Sequence, residues 1–394
     1  MKHPIVSSAI IMALLALTFS CTSSEELALN APIFRDTISR GELFKELAPE
    51  IPLRRSSRLD SLIDTTKLIF IQTNDSTLLA TIDDVELYDD ILYILDLRLK
   101  QVVAIDSLGG SIFSIHDSGR SRREYLDLRA MELSGEQGEL YLLDGNGGKI
   151  LVYDLMGRHK RAIMLPRRAA RRFAFLGDGK FALEFGCRGG EEVESGIKGN
   201  LMIFDSQSGE VIANRFLYKD DDVVYYPYAQ KVFSKYKDHN YFWPMMSNTV
   251  YEIEDNGEIK NVLELDFGDN QMPMSMFRLN SKKYFQKFRK ENYAQVERFI
   301  EFDDMYYIST MNRYNVIHHF YNKKTMNRLE CSSNYKFGEI PNALQYYLFK
   351  LDERRLCGSM TAEKYLQYNK LDTLVKIDDN PVLFIYELRD TLNW

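Results

Sequence analysis

The sequence predicts an all-β chain folded as a six-bladed β-propeller with a helical insertion between blades four and five, and three observations carry that expectation. The first is a block that repeats in register. Leu92-Tyr93-Ile94-Leu95-Asp96, Val103-Ala104-Ile105-Asp106 and Gly109 recur as Leu140-Tyr141-Leu142-Leu143-Asp144, Leu151-Val152-Tyr153-Asp154 and Gly157, every matched pair 48 positions apart. A fixed period of about 40 to 50 residues, built from short alternating strands and turn residues, marks one propeller blade per repeat. The second is composition: 12% aromatic residues, with 24 Tyr and 23 Phe, suits sheet faces, where aromatic and β-branched side chains pack well. The third is a strand far from the other repeats, Leu68-Ile69-Phe70-Ile71, which can complete the last blade and so close a ring that would otherwise expose strand edges. At 394 residues two or three domains of about 100 to 200 residues would be ordinary. A closed ring folds as one unit instead, because each blade buries its faces only against its neighbours.

Blade one is expected over 82–115, with Asp89-Asp90 and Leu108-Gly109-Gly110 as its turns, and blade two over 131–165 as its copy, turning at Met156-Gly157. Blade three begins at Phe173-Ala174-Phe175, turns at Gly177-Asp178-Gly179 and carries Leu201-Met202-Ile203-Phe204-Asp205. Blade four is weaker, with Tyr241-Phe242-Trp243, Thr249-Val250-Tyr251-Glu252-Ile253 and the turn Asp255-Asn256-Gly257. Over about 275–299 the pattern changes: Phe277, Tyr284, Phe288 and Val296 are spaced by seven, four and eight among Lys, Arg, Gln and Glu, and that spacing is helical. The basic side of this insert, Lys282, Lys283, Lys287, Arg289 and Lys290, reads as a solvated face, with anionic lipid or a partner as the alternative. Blade five resumes at 299–308 around Asp303-Asp304 and continues over 315–321; blade six takes 346–350, Val375-Lys376-Ile377 and 382–388.

The first residues read as an address. Lys2 and His3 precede an apolar run over 5–19 that ends at Ser20-Cys21. That run is shorter than the roughly 20 residues of a transmembrane helix and has the proportions of a signal-peptide core. A small residue directly before the cysteine looks like a lipobox, although Phe19 is bulky where a small residue is usual. The expected organisation is therefore a lipoprotein signal peptide over 1–20, a tether over 21–65 beginning at lipidated Cys21, and the propeller over 66–394. Two acyl chains hold a protein stably on a membrane where one does not. Ser23, Ser24, Glu25 and Glu26 follow the cysteine, an acidic stretch that resembles the surface-export signal of Bacteroides-type lipoproteins. The expected location is the cell envelope, lipid-anchored, at the outer membrane and surface-exposed.

A formal net charge of −7 argues against nucleic acid, whose binders show a dominant basic field. Cys187, Cys331 and Cys357 remain after lipidation, an odd number that leaves at least one thiol unpaired. Cys331 and Cys357 either pair across adjacent strands or sit buried as small apolar residues. No CxxC or Cys/His cluster suggests zinc, and no metal or other cofactor is expected.

Taken together, the chain resembles the six-bladed β-propeller lipoproteins, distantly related to NHL-repeat propellers, that Bacteroides-type bacteria encode in large numbers. The resemblance rests on Tyr88-Asp89-Asp90-Ile91-Leu92-Tyr93-Ile94-Leu95-Asp96, Glu124-Tyr125-Leu126, the stretch 140–154 with Asp144-Gly145-Asn146-Gly147-Gly148-Lys149-Ile150, and 299–307. It covers roughly 68–388 and implies the fold and the envelope address, with no particular reaction attached. Where such chains usually carry a glycine- and proline-rich loop before Glu-Tyr, this one reads Asp117-Ser118-Gly119-Arg120-Ser121-Arg122-Arg123.

Few residues suggest chemistry. Gly145-Asn146-Gly147-Gly148-Lys149 lacks the GxxxxGK[ST] spacing and a following helix, so it reads as a turn. Asp96, Asp106, Asp144, Asp154 and Asp205 recur at blade-equivalent positions and are expected to bond the backbone of their own turns. None of the six histidines falls in HExxH; His318 and His319, adjacent on a strand, point to opposite faces and do not share a metal. There is no GxSxG elbow, and no catalytic residue is assigned. The candidate binding residues are Arg120, Arg122, Arg123 and Tyr125 in one loop and Arg167 and Arg168 in another. Loops on a rigid scaffold carry function, and Arg suits planar recognition of carboxylates. The expected function is binding of a glycan, peptide or envelope protein through loops or channel. The alternatives are a lactonase- or lyase-like enzyme with polar residues converging at the axis, and a structural accessory subunit of an envelope complex.

Overall fold

The computed structural model describes residues 37–38 and 62–389. Excepted from that span are 75–76, 186–198, 218–230, 245–247, 266, 274–275, 277–282, 284–285, 288–289, 292, 313–314, 326, 333–335, 338–339, 342–346, 370–371 and 373–374. The signal segment, Cys21, the tether's first residues and Cys187 therefore lie outside the described residues.

Two strands precede the first blade: β1 (Thr37–Ile38) and β2 (Ile63–Phe70). Blade one is β3 (Asp84–Tyr88), β4 (Ile91–Asp96), β5 (Gln101–Ile105) and β6 (Ser111–Ile115). Blade two is β7 (Leu128–Ser134), β8 (Glu139–Asp144), β9 (Lys149–Asp154) and β10 (His159–Met164). Blade three is β11 (Arg172–Gly177), β12 (Lys180–Glu184), β13 (Gly199–Asp205) and β14 (Val211–Leu217). Blade four is β15 (Phe233–Tyr236), β16 (His239–Phe242), β17 (Thr249–Ile253) and β18 (Ile259–Leu265), with β1 added in parallel to its outer edge. Blade five is β19 (Ala294–Glu301), β20 (Met305–Asn312), β21 (Asn315–Asn322) and β22 (Arg328–Ser332). A two-stranded ribbon, β23 (Lys336–Phe337) and β24 (Ile340–Pro341), leads to blade six: β25 (Phe349–Lys350), β26 (Arg355–Met360), β27 (Val382–Leu388) and, outermost, β2.

Closure follows the expectation. Leu68, Ile69 and Phe70 pair antiparallel with Phe384, Leu383 and Val382, so the chain's beginning and end share a blade. Asn380 clasps the junction: its side chain accepts from Leu79 N at 2.7 Å and donates to Gln72 O at 3.0 Å and Thr77 O at 2.7 Å.

The core is divided among the blade interfaces. Tyr93, Leu95 and Val102 of blade one meet Leu140, Leu142 and Tyr153 of blade two, and similar clusters join blades two and three, three and four, four and five, and five and six. The ring is completed where Leu383 and Ile385 of blade six pack on Val85, Ile94 and Val103 of blade one. Burial of an apolar side chain stabilises by about 1.5–3 kcal/mol, and here both faces of every inner sheet contribute.

The repeated residues are turn hardware. The carboxylates of Asp106, Asp154 and Asp205 each accept two backbone amides of their own turn, for example Leu108 N and Gly110 N at 2.8 Å. The turn glycine that follows sits in the left-handed region, at φ 88° for Gly109 and 76° for Gly157. A Cβ on Gly109 would stand 2.2 Å from the Phe70 carbonyl oxygen, which explains the glycine twice over. Buried Asp96 and Asp144 reach further. Asp144 accepts from Gly147 N at 2.9 Å and from Leu126 N and Asp127 N at 3.1 Å, tying the loop that enters blade two to the β8–β9 turn.

Three blade boundaries differ from expectation. Blade four has an earlier first strand, β15, whose Phe-Ser-Lys-Tyr carries no β-branched residue to announce it. Blade five begins at Ala294, so 294–299 is strand rather than the end of a helix; Val296, read as part of a helical face, is a buried strand residue. Of the earlier stretch, Lys283, Gln286, Lys287, Lys290 and Glu291 have helical backbone. In blade six the middle element expected at Val375-Lys376-Ile377 is not a strand. Its place is taken by β26, whose Cys-Gly-Ser centre hides a strand signal, and by a short helix, α1 (Ala362–Tyr368), capped by Thr361.

Cys331 and Cys357 are both free and buried, which decides for the small apolar reading, and burial pushes both thiols up. Among the described residues, no helix is long and apolar enough to cross a membrane.

Candidate functional site in the axial channel

The first strands of the blades stand side by side around the axis: β3 beside β7, β7 beside β11, β11 beside β15, β15 beside β19, and β25 back beside β3. They enclose a cavity of about 380 Å³ lined by side chains from all six blades, within the range of small-molecule sites.

Its walls carry charge. Asp84 and Glu86 are two residues apart on β3 and share a face. Between them lies Lys231, whose ammonium is 2.9 Å from Asp84 Oδ2 and 3.3 Å from Glu86 Oε1. Burial works against the Lys231 charge, but the Asp84 and Glu86 carboxylates beside it outweigh that and hold the ammonium charged above its ordinary range. Glu86 also accepts from Leu133 N at 3.0 Å, and burial raises its carboxyl despite Lys231.

Glu132 on β7 completes the group. Burial, reinforced by the charge on Glu86, pushes its carboxyl up to about 8, so at neutral pH it is a neutral acid beside an ion-paired carboxylate. On other blades the cavity is lined by Lys235 and by Arg298, which is 4% exposed. The Arg298 guanidinium lies over the rings of Tyr347 and Phe349, 4.9 and 4.6 Å from their centroids, and its Nε makes no hydrogen bond.

None of these residues was singled out from the sequence. The available signal is Asp84-Val85-Glu86-Leu87, a strand with charges at alternate positions where a blade's first strand should be buried. The sequence candidates stand elsewhere. The loops carrying Arg120, Arg122 and Arg123 and carrying Arg167 and Arg168 both flank the β8–β9 turn. Lys149 Nζ donates to Ser121 O at 2.8 Å on one side, and Leu165 N and Ala169 N donate to Gly148 O and Gly145 O on the other. Arg120, Arg122, Arg123 and Arg168 are exposed, while Arg167 is half-buried with its guanidinium 4.4 Å from the Phe185 ring centroid. Tyr125 is fully buried, its hydroxyl donating to Lys100 O at 2.6 Å, so it anchors the loop rather than facing a ligand. Gly145-Asn146-Gly147-Gly148-Lys149 is the β8–β9 turn, as expected. His318 and His319 point apart: His318 Nδ1 bonds the Tyr307 hydroxyl at 2.8 Å and His319 Nε2 the Thr310 hydroxyl at 2.9 Å, both buried. Among the described residues no group of His, Cys, Asp and Glu is arranged to hold a metal ion.

Comparison with known proteins bears on the family. A family model described as a domain of unknown function (DUF4934) matches residues 48–387. The chain belongs to the DUF4934 family. None of the curated proteins matches it. Among solved structures, this DUF4934 propeller is similar to an assumed exported protein of Bacteroides fragilis NCTC 9343, at 14% identity and TM-score 0.69 over 85% of this chain and 98% of that one. It is also similar to a member of the DUF4221 family from Bacteroides vulgatus ATCC 8482, at 12% identity and TM-score 0.55 over 84% and 98%. At such identities the likeness speaks for the fold alone, an all-β propeller of six blades, as the sequence resemblance implied.

Proposed function

We propose that this DUF4934 chain is an envelope-anchored propeller that binds a small polar ligand, a short glycan or peptide, in its axial channel. The observation that carries the reading is the convergence of Asp84, Glu86, Glu132, Lys231, Lys235 and Arg298 on one 380 Å³ cavity. Buried charges are costly to a fold, and an interior built only for stability would place apolar residues where buried Asp84 and Arg298 stand. In this reading the signal peptide over 1–20 is removed, Cys21 is lipidated at the outer membrane, the helical insertion between blades four and five lies on one face of the disc, and Arg120, Arg122, Arg123 and Arg168 present a basic surface to an acidic partner. Cys21→Ala should abolish acyl labelling; labelling that persists would refute the anchor. Binding at about 100 times the dissociation constant stabilises a fold by about 2.7 kcal/mol. A thermal-shift screen of the full chain against short glycans and peptides should therefore show a shift that Lys231→Met removes, and a shift unchanged in Lys231→Met would displace the site from the channel.

A second reading is catalysis at the same place, favoured by the neutral acid Glu132 beside Glu86 and Lys231. It requires turnover of a bound ligand that Glu132→Gln abolishes while leaving binding intact.

A further inference from the structure

The charges lining the cavity are unequally committed. Lys231 is shared by Asp84 and Glu86, Lys237 pairs with Asp303 at 2.7 Å, Lys350 pairs with Glu353, and Asp352 pairs with Arg355 at 2.7 Å. Among the described residues, the side chains of Lys235 and Arg298 make no hydrogen bond or ion pair, and neither does the Glu132 carboxyl. Arg298 is the most telling. A guanidinium presents five donors in a rigid fork, and this one is nine-tenths buried against two aromatic rings with its Nε unpartnered. Its sequence neighbour Glu297 is also buried, hydrogen-bonded to Gln295, with one carboxyl oxygen unpartnered and no ion pair to Arg298. The neighbouring strands β15 and β19 therefore each bring to the cavity a cation outside any ion pair. On blade one, Asp84 and Glu86 share the single Lys231 and offer acceptor oxygens.

Resting on the channel reading above, we infer that the axial cavity takes a small anion bearing both a carboxylate and several hydroxyl donors, the chemistry of a sugar acid. The carboxylate lies against Arg298 and Lys235, and the hydroxyls donate to Asp84 and Glu86. Glu132, whose carboxyl burial pushes up to about 8, adds little repulsion to an incoming anion near neutral pH and can donate to it.

The test uses glucuronate and its uncharged counterpart glucose, each titrated calorimetrically into the full chain. Glucuronate should bind and glucose should bind much more weakly. Arg298→Met should lower glucuronate affinity about thirtyfold or more, the loss expected when one partner of a buried charged pair is truncated. Lys235→Met, at an exposed position, should lower it severalfold. Affinity should also fall between about pH 6.5 and about pH 9, as Glu132 ionises beside the bound anion. Equal binding of the two sugars, lost in Lys231→Met, would overturn the assignment of an anion while leaving the channel reading in place. Absence of binding by both, or glucuronate binding unchanged in both cation variants, would overturn the inference.

Discussion

Replacing Glu132 by Gln should stabilise the protein, and the gain should grow with pH. The carboxyl titrates near 4.5 in an unfolded chain and is raised to about 8 in the folded one by burial and by Glu86. Between those values the native state holds a proton that the unfolded state has released, so the native state loses stability as pH rises through the window. Each pH unit is worth about 1.36 kcal/mol, which sets a ceiling of roughly 5 kcal/mol above pH 8. Water in the cavity and relaxation of the walls lower this to about 2–3 kcal/mol. Glutamine keeps the shape and never ionises, so Glu132→Gln should match the wild type near pH 4 and exceed it by that amount near pH 8. For a chain of this length the gain corresponds to roughly 3–5 °C in melting temperature. Urea unfolding at a series of pH values measures it. A variant less stable than wild type at pH 8, or a difference that stays flat from pH 4 to 8, would refute the reasoning that Glu132 is an acid raised by its surroundings in the folded state. Stability gained by removing a polar group at a site is the usual mark of a residue kept for function.

Other outcomes follow from the scaffold. Asp144→Ala should cost about 2–4 kcal/mol, since three amides lose a charge-assisted acceptor, and limited proteolysis should then cut at Arg120, Arg122 or Arg123, intact in the wild type. Asn380→Ala, which removes the clasp on the closing strand, should cost a similar amount and raise hydrogen exchange in β2 and β27 before other blades. Tyr125→Phe should cost about 1 kcal/mol and leave binding of any acidic partner to the neighbouring arginines unchanged; lost binding would return the tyrosine hydroxyl to the site.

The sequence by itself determined the propeller, because its repeat is written in local chemistry. An Asp that bonds its own turn and a Gly at positive φ three residues later are required wherever β5–β6 or β9–β10 turns occur, so they recur at Asp106 and Gly109 and at Asp154 and Gly157. The closing strand was legible for a related reason, as an isolated apolar strand with no blade of its own. Blade six was partly illegible because β26 places Gly358 and Ser359 at its centre, where packing from β25 and β27 rather than propensity makes the strand. The expected insert ran too far because Val296 fits a helical spacing and a strand spacing equally well. The channel belonged to the tertiary structure alone. Glu86, Glu132, Lys231 and Arg298 come from four different blades, up to 212 residues apart in sequence, and each is unremarkable in its own segment. Only the closing of the ring brings them to one cavity and shields them from bulk water, and that desolvation is what turns ordinary charges into a candidate site.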